Sequence, residues 1–304
     1  MSEVTRRSVL TWGAAVTAGL VSSCAAPSPH PVGVTAAAAP TDAGPVRMAS
    51  GAPLTAPLTA RATAGLTRAE VIHTYDRMVP TSWGPDAAGT ITSLGTSDPV
   101  VALTFDACGG PTPRSAGCGY DRALIGLLRR YEARATLFLN ARWIAANPAV
   151  ADELAHDPLF EIGNHGTRHR PLSVTGRSAY GEKGTRSVAE AYDEVAGNHE
   201  ILTGLLGHPP RFFRSGTACC DDVAVRIAGE LGERVVSFTV NGDGGATFTA
   251  PQVATALHRA RGGEIVISHL NRPTHQTGPG YALGLPRLLE RGLRTVTLSE
   301  YLTA

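Results

Sequence analysis

The stretch Pro99-Val100-Val101-Ala102-Leu103-Thr104-Phe105 is a near-continuous apolar run of strand length. A strand covered by helices on one face and buried on the other reads this way, whereas an exposed antiparallel strand alternates. Downstream the same unit recurs. Helical spacing at Leu124, Leu127 and Leu128 within 121–131 precedes a strand over 135–140, a helix through Trp143, Ile144, Val150 and Leu154, and a strand over 159–163. A helix over 188–206 leads to a strand over 211–213, and a helix over 222–231 to a strand over 234–240. Helix 250–261, strand 263–268, helix 283–291 and strand 294–298 end the series. Seven strands separated by helices specify an α/β fold with a parallel sheet, and their even spacing predicts a distorted (β/α)7 TIM-like barrel.

The chain has 304 residues, 43% of them apolar, enough for one large domain once the first sixty-odd are set aside. Lys and Arg number 27 against 26 Asp and Glu, with no basic block, which argues against nucleic acid as a partner. No GxGxxG or Walker loop follows the first strand, so a nucleotide site has no support.

Residues 1–24 read as an address. Arg6-Arg7 precedes a short apolar run from Val9 to Val21, as in a twin-arginine export signal, and Val21-Ser22-Ser23-Cys24 resembles a lipobox. Cleavage there would leave Cys24 as a lipid-anchored N-terminus in an exported, extracytoplasmic protein; ordinary cleavage nearby would leave a secreted one. Residues 25–65, rich in Ala, Pro and Thr, read as a disordered tether, and 66–304 as the catalytic domain. In an oxidising compartment, Cys108, Cys118, Cys219 and Cys220 predict at least one disulfide.

The polar residues that follow the strands carry the chemistry. Asp106, Asn164 with His165, Arg214, Asn241 with Asp243, and His269 each stand at a strand's C-terminal end, where a parallel barrel gathers its active site. Each taken alone is better read as a cap or a loop polar group; five at one rim are not. His165 and His169 form an HxxxH pair that, beside Asp106, makes a two-His, one-carboxylate cluster suited to zinc or a similar divalent ion. Amide hydrolysis also needs a carboxylate base, a cation to hold it and an acid for the departing amine. Asp106, Arg214 and His269 fit these roles, with Asp243 orienting His269. His73, His156, His199, His208 and His258 read as surface groups, and His275 lies in a long connection over 271–281.

Thr104-Phe105-Asp106-Ala107, His165 to His169, Phe213-Arg214 and Ile267-Ser268-His269 resemble, in order and spacing, the motifs of the polysaccharide deacetylase family, the NodB-homology domain of carbohydrate esterase family four. The resemblance covers roughly residues 100–302. It implies a metal-dependent hydrolase that removes N-acetyl groups from an acetylated amino-sugar polymer such as peptidoglycan or a chitin-like glycan. It also implies Asp106 as general base, His165 and His169 as metal ligands, Arg214 as the base's tether, His269 as general acid, and an oxyanion contact from a backbone N–H near Ser215 or Gly216.

Two departures mark a divergent subgroup. Ala107 occupies the place of a second, metal-binding aspartate, so the reading predicts weaker metal binding, with Asp106, Asp221, Asp222 or Asp243 as replacement ligand or water filling the gap. Ser215-Gly216-Thr217 stands where the family has a proline and an aromatic wall of the sugar groove. Ala107 also motivates a rival, a catalytically silent glycan-binding lipoprotein. A hydrolase of small cyclic amides is a further alternative, which export disfavours.

Overall fold

The computed structural model describes residues 66–303. The export signal, Cys24 and the tether expected over 1–65 lie outside the described residues.

Eight strands form one sheet: β1 (Val100–Ala107), β2 (Ala135–Leu139), β3 (Phe160–Asn164), β4 (Phe212–Phe213), β5 (Arg234–Val235), β6 (Val240–Asn241), β7 (Ile265–His269) and β8 (Arg294–Val296). Seven run side by side in the order β5-β4-β3-β2-β1-β7-β6, every neighbour parallel. The eighth, β8, pairs with Val100–Ala102 at the start of β1, whose later residues pair with β2. The sheet is the curled, distorted (β/α)7 barrel that the strand rhythm predicts.

Side-chain alternation sorts each strand between two cores. Val101, Leu103, Phe105 and Ala107 pack outward with Leu137, Leu139, Phe160 and Ile162 against the helices. Val100, Ala102, Phe138, Phe212 and Ile265 face inward and fill the barrel floor. The same parity continues up the wall through Thr104 and Asp106, and brings His165, Arg214 and His269 inward at the ends of their strands.

The strand expected over 234–240 is broken in two, because this segment changes partners midway. Val236 N–H donates to Phe213 O and Ser237 N–H to Ile91 O, after which Thr239 N–H reaches Ile265 O on the opposite edge. The ring is therefore completed between β5 and β6 by four residues of chain that cross the opening. The helix expected through 143–154 is likewise two, Ala141–Ala146 and Pro148–Ala155, parted where Pro148 lacks an amide hydrogen. The last helix begins earlier than expected, at Thr277, so half of the presumed 271–281 loop is helical.

Four cysteines were expected to supply a disulfide; among the described residues none forms. Cys118 Sγ instead accepts from Gly110 N–H and lies 3.4 Å from Thr112 O, while buried Cys220 sits 3.4 Å from Thr90 Oγ1.

Gly163 leaves the space that Phe138 fills: a Cβ there would lie 2.7 Å from the ring. Gly163→Ala should therefore destabilise the domain by about 1–3 kcal/mol through overpacking, read as a lowered midpoint in denaturant unfolding.

Candidate metal centre and hydrolytic site

Arg214 is fully buried and spends its guanidinium on four partners. Nη1 donates to Asp106 Oδ1 at 2.9 Å and Thr104 Oγ1 at 2.7 Å, Nη2 to Ser237 O at 2.8 Å, and Nε to Val236 O at 3.2 Å. The Phe138 ring lies beneath it, 4.3 Å from Cζ to the ring centroid. One side chain thus fixes the Asp106 carboxylate and also satisfies the carbonyls of the crossing segment. Burial alone would push the Asp106 carboxyl up, but Arg214 and two nearby imidazoles outweigh it and hold the group below the usual carboxylate range. Asp106 is ionised at neutral pH.

His165 follows β3 and is fully buried. Its Nδ1 lies 2.9 Å from Arg214 O, and a carbonyl can only accept, so Nδ1 carries the proton. The other nitrogen, Nε2, has no hydrogen-bond partner and lies 3.6 Å from Asp106 Oδ2. Burial, with help from His169 and Arg214, pushes His165 down to about 4 against the pull of Asp106, so the imidazole is neutral. Its ring packs edge-on to that of His169, with centroids 5.0 Å apart.

Cys108, His165 and His169 offer ligand atoms that all lie within 4.8 Å of one another, and all three residues are buried. This donor set fits a divalent metal: a neutral imidazole with an orphaned, buried lone pair meets a second imidazole and a sulfur. The proposed replacement ligands are engaged elsewhere. Asp221 caps a helix through Ala224 N–H, Asp222 accepts from Thr81 and Ser82, and Asp243 holds His269. Asp106 stands beside the triplet, with one oxygen bound by Arg214. Cys108, expected among the disulfide-forming cysteines, stands instead beside the two imidazoles. Ala107 faces the helices, whereas Cys108 is next in the inward parity of Thr104 and Asp106.

His269 ends β7 beside Asp243, whose carboxylate lies 3.0 Å from Nδ1 and accepts from the His269 backbone N–H at 2.7 Å and Thr277 Oγ1 at 2.9 Å. A carboxylate acceptor puts the His269 proton on Nδ1. Asp106 and His269 both line one open pocket, together with Tyr180, Thr217, Phe238 and Asn241. Tyr180 and Phe238 supply aromatic surface that the third motif lacks. Gly216 N–H is directed to Arg170 O at 3.3 Å, so it is engaged within the protein.

Sequence reasoning missed two buried acids. Glu194 Oε1 accepts from the backbone N–H of Arg168 and of Arg170, clamping the turn on both sides of His169, whose φ of 60° is left-handed. Glu233 accepts from Asn164 Nδ2 and lies 2.7 Å from His199 Nδ1, so His199 is a core contact and the expectation of a surface group is corrected. Asn164 also donates to Val195 O and accepts from Gly166 N–H and Asn198, which anchors the loop of His165 to the long helix Val188–Leu206. His275 Nδ1 lies 2.7 Å from Ala246 O, tying the 271–276 connection to the loop beyond Asp243.

The family described as polysaccharide deacetylase matches residues 93–236. Residues 93–236 thus carry the polysaccharide deacetylase domain. A peptidoglycan-N-acetylglucosamine deacetylase of Bacillus cereus is 28% identical over 216 residues, covering 68% of this chain and 89% of the relative. A family 4 carbohydrate esterase pseudoenzyme from Bacillus anthracis superposes with a TM-score of 0.57 at 21% identity, covering 70% of this chain and 68% of its own. A Bacillus subtilis family 4 carbohydrate esterase gives the same TM-score at 16% identity, covering 79% and 90%. At those identities the two structures speak for the fold. Polysaccharide deacetylases hydrolyse N-acetyl amide bonds on glycans.

Burial pushes the Glu233 carboxyl up to about 7 from an ordinary 4.5, opposed by His199 and Asn164. The folded state then holds a proton that the unfolded chain has released, so stability is full below pH 4.5 and falls as pH rises towards 7. Wild type should lose on the order of 3 kcal/mol across that window relative to Glu233→Gln, read by urea unfolding at each pH.

Proposed function

We propose that the protein removes N-acetyl groups from an envelope glycan, with peptidoglycan N-acetylglucosamine as substrate, using a divalent metal, zinc first, held by His165 and His169. The observation that carries this is an Asp106 carboxylate, held by Arg214, beside the candidate metal-ligand triplet and lining one cavity with His269 from the adjacent strand. The likeness to a Bacillus cereus enzyme named for this substrate supports the choice of glycan. A bound divalent ion would lower the pKa of the attacking water and polarise the acyl oxygen.

The chain's own groups do the rest. Asp106 Oδ2, left available while Arg214 holds Oδ1, takes the proton of the water as it attacks. Asp243 keeps His269 in the tautomer with Nδ1 protonated and stabilises its imidazolium. His269 then delivers a proton from Nε2 to the departing amine. Tyr180 and Phe238 flank the cavity as surfaces for a sugar ring. The silent glycan-binding alternative, raised by Ala107, loses ground because Cys108 restores a third donor.

We further propose export by the twin-arginine route and lipid anchoring at Cys24. Among the described residues no helix is long and apolar enough to cross a membrane. If the anchor holds, Cys24→Ser should move the protein from the membrane fraction to the soluble extracytoplasmic fraction; unchanged fractionation would count against it.

The chemistry is tested with an acetylated glucosamine oligomer. Asp106→Asn should lower acetate release by about 100-fold or more while retaining bound metal. His165→Ala should lose both metal and activity. Metal loss in Asp106→Asn would make Asp106 a ligand instead.

A further inference from the structure

Resting on the deacetylase reading, we infer that the Cys108 sulfur is the third protein ligand of the metal, giving a thiolate, two-imidazole centre in place of a carboxylate one. Ala107 cannot coordinate, and it belongs to the hydrophobic core on the outer, helix-facing side of the sheet. The next residue continues the inward parity of Asp106 and brings its Sγ within 4.8 Å of ligand atoms of His165 and His169. The state of His165 points to an ion there. His165 is fully buried with Nε2 lacking any partner, and its other nitrogen is tied to Arg214 O, which leaves the Nε2 lone pair for a metal. A cysteine nucleophile would need one imidazole; this sulfur has two.

The local backbone suits the shift by one residue. β1 ends at Ala107, and Gly109 follows Cys108 with φ of 71°, turning the chain sharply beneath Trp143, whose backbone nitrogen would lie 2.9 Å from a Cβ at Gly109. That turn keeps Cys108 at the rim. Three protein ligands leave a fourth position open, as catalytic zinc sites require. A soft sulfur also changes selectivity: the centre should prefer zinc, cobalt and cadmium over the harder manganese and magnesium, which favour carboxylates.

Cobalt titration of the full chain reads this ligand directly, independently of turnover. Wild type should show thiolate-to-cobalt charge-transfer absorption in the near ultraviolet alongside visible d–d bands. Cys108→Ser should lose the near-ultraviolet band. Cys108→Asp should bind cobalt without that band and shift the zinc-to-manganese affinity ratio towards manganese by roughly 10-fold or more. Far-ultraviolet circular dichroism checks each variant's fold, and Cys108→Asp carries the test if Cys108→Ser does not fold. Failure to bind cobalt, cobalt bound without the band in wild type, or a band that persists in Cys108→Ser overturns the inference. A band in wild type without acetate release would overturn the deacetylase reading and leave the ligand assignment standing.

Discussion

The buried ion pair between Arg214 and Asp106 is the constraint on which the site depends. Removing two charges from water is costly, and the cost is recovered only where geometry and further hydrogen bonds satisfy both ions. Here Arg214 binds the carboxylate, the Thr104 hydroxyl and two carbonyls of the segment that crosses the barrel opening, over the face of Phe138. Asp106 thereby remains ionised in an interior that would otherwise neutralise it. The same contacts hold the non-laddered part of the barrel against its wall. Arg214 O also fixes the tautomer of His165, so the proposed base, the ring closure and the proposed metal ligand all depend on one residue.

Around that pair lies a polar shell that faces the helices. Asn164 points away from the cavity and binds the helix Val188–Leu206, while Glu194 from the same helix clamps the turn of His169. The two imidazoles are thus positioned by a single helix, one through the residue before it and the other through the amides on either side. Such support lets a loop hold ligands with the precision of a strand. At the end of the strand next to Asp106, Asp243 orients His269 through both its backbone and its ring.

Much of this was legible in the sequence. Apolar runs of strand length and helical spacing gave the barrel, and polar residues at strand ends named Asp106, His165, Arg214, Asp243 and His269. The split of 234–240 was not legible, because an apolar run does not show which edge its amides will serve. Cys108, the ligand proposed above, was not pointed to by the sequence for two physical reasons. An even number of cysteines in a chain expected to be exported suggested pairing, and matching the motif residue for residue turned the search for a replacement ligand to aspartates. Strand parity carried a signal for it, since Thr104, Asp106 and residue 108 share one side. Glu194 and Asn198 left a similar trace: they sit at helical spacing within the buried stripe of Val188, Ala191, Val195 and Leu202, where a polar residue needs a buried partner.

The central claim is that one mouth of the barrel holds a metal ion beside an ionised carboxylate. Anomalous diffraction from zinc-loaded crystals addresses it directly. The account predicts a single strong peak ligated by Cys108 Sγ, His165 Nε2 and a ring nitrogen of His169, with Asp106 still bound by Arg214. No peak at that place, or zinc held by other residues, would contradict it.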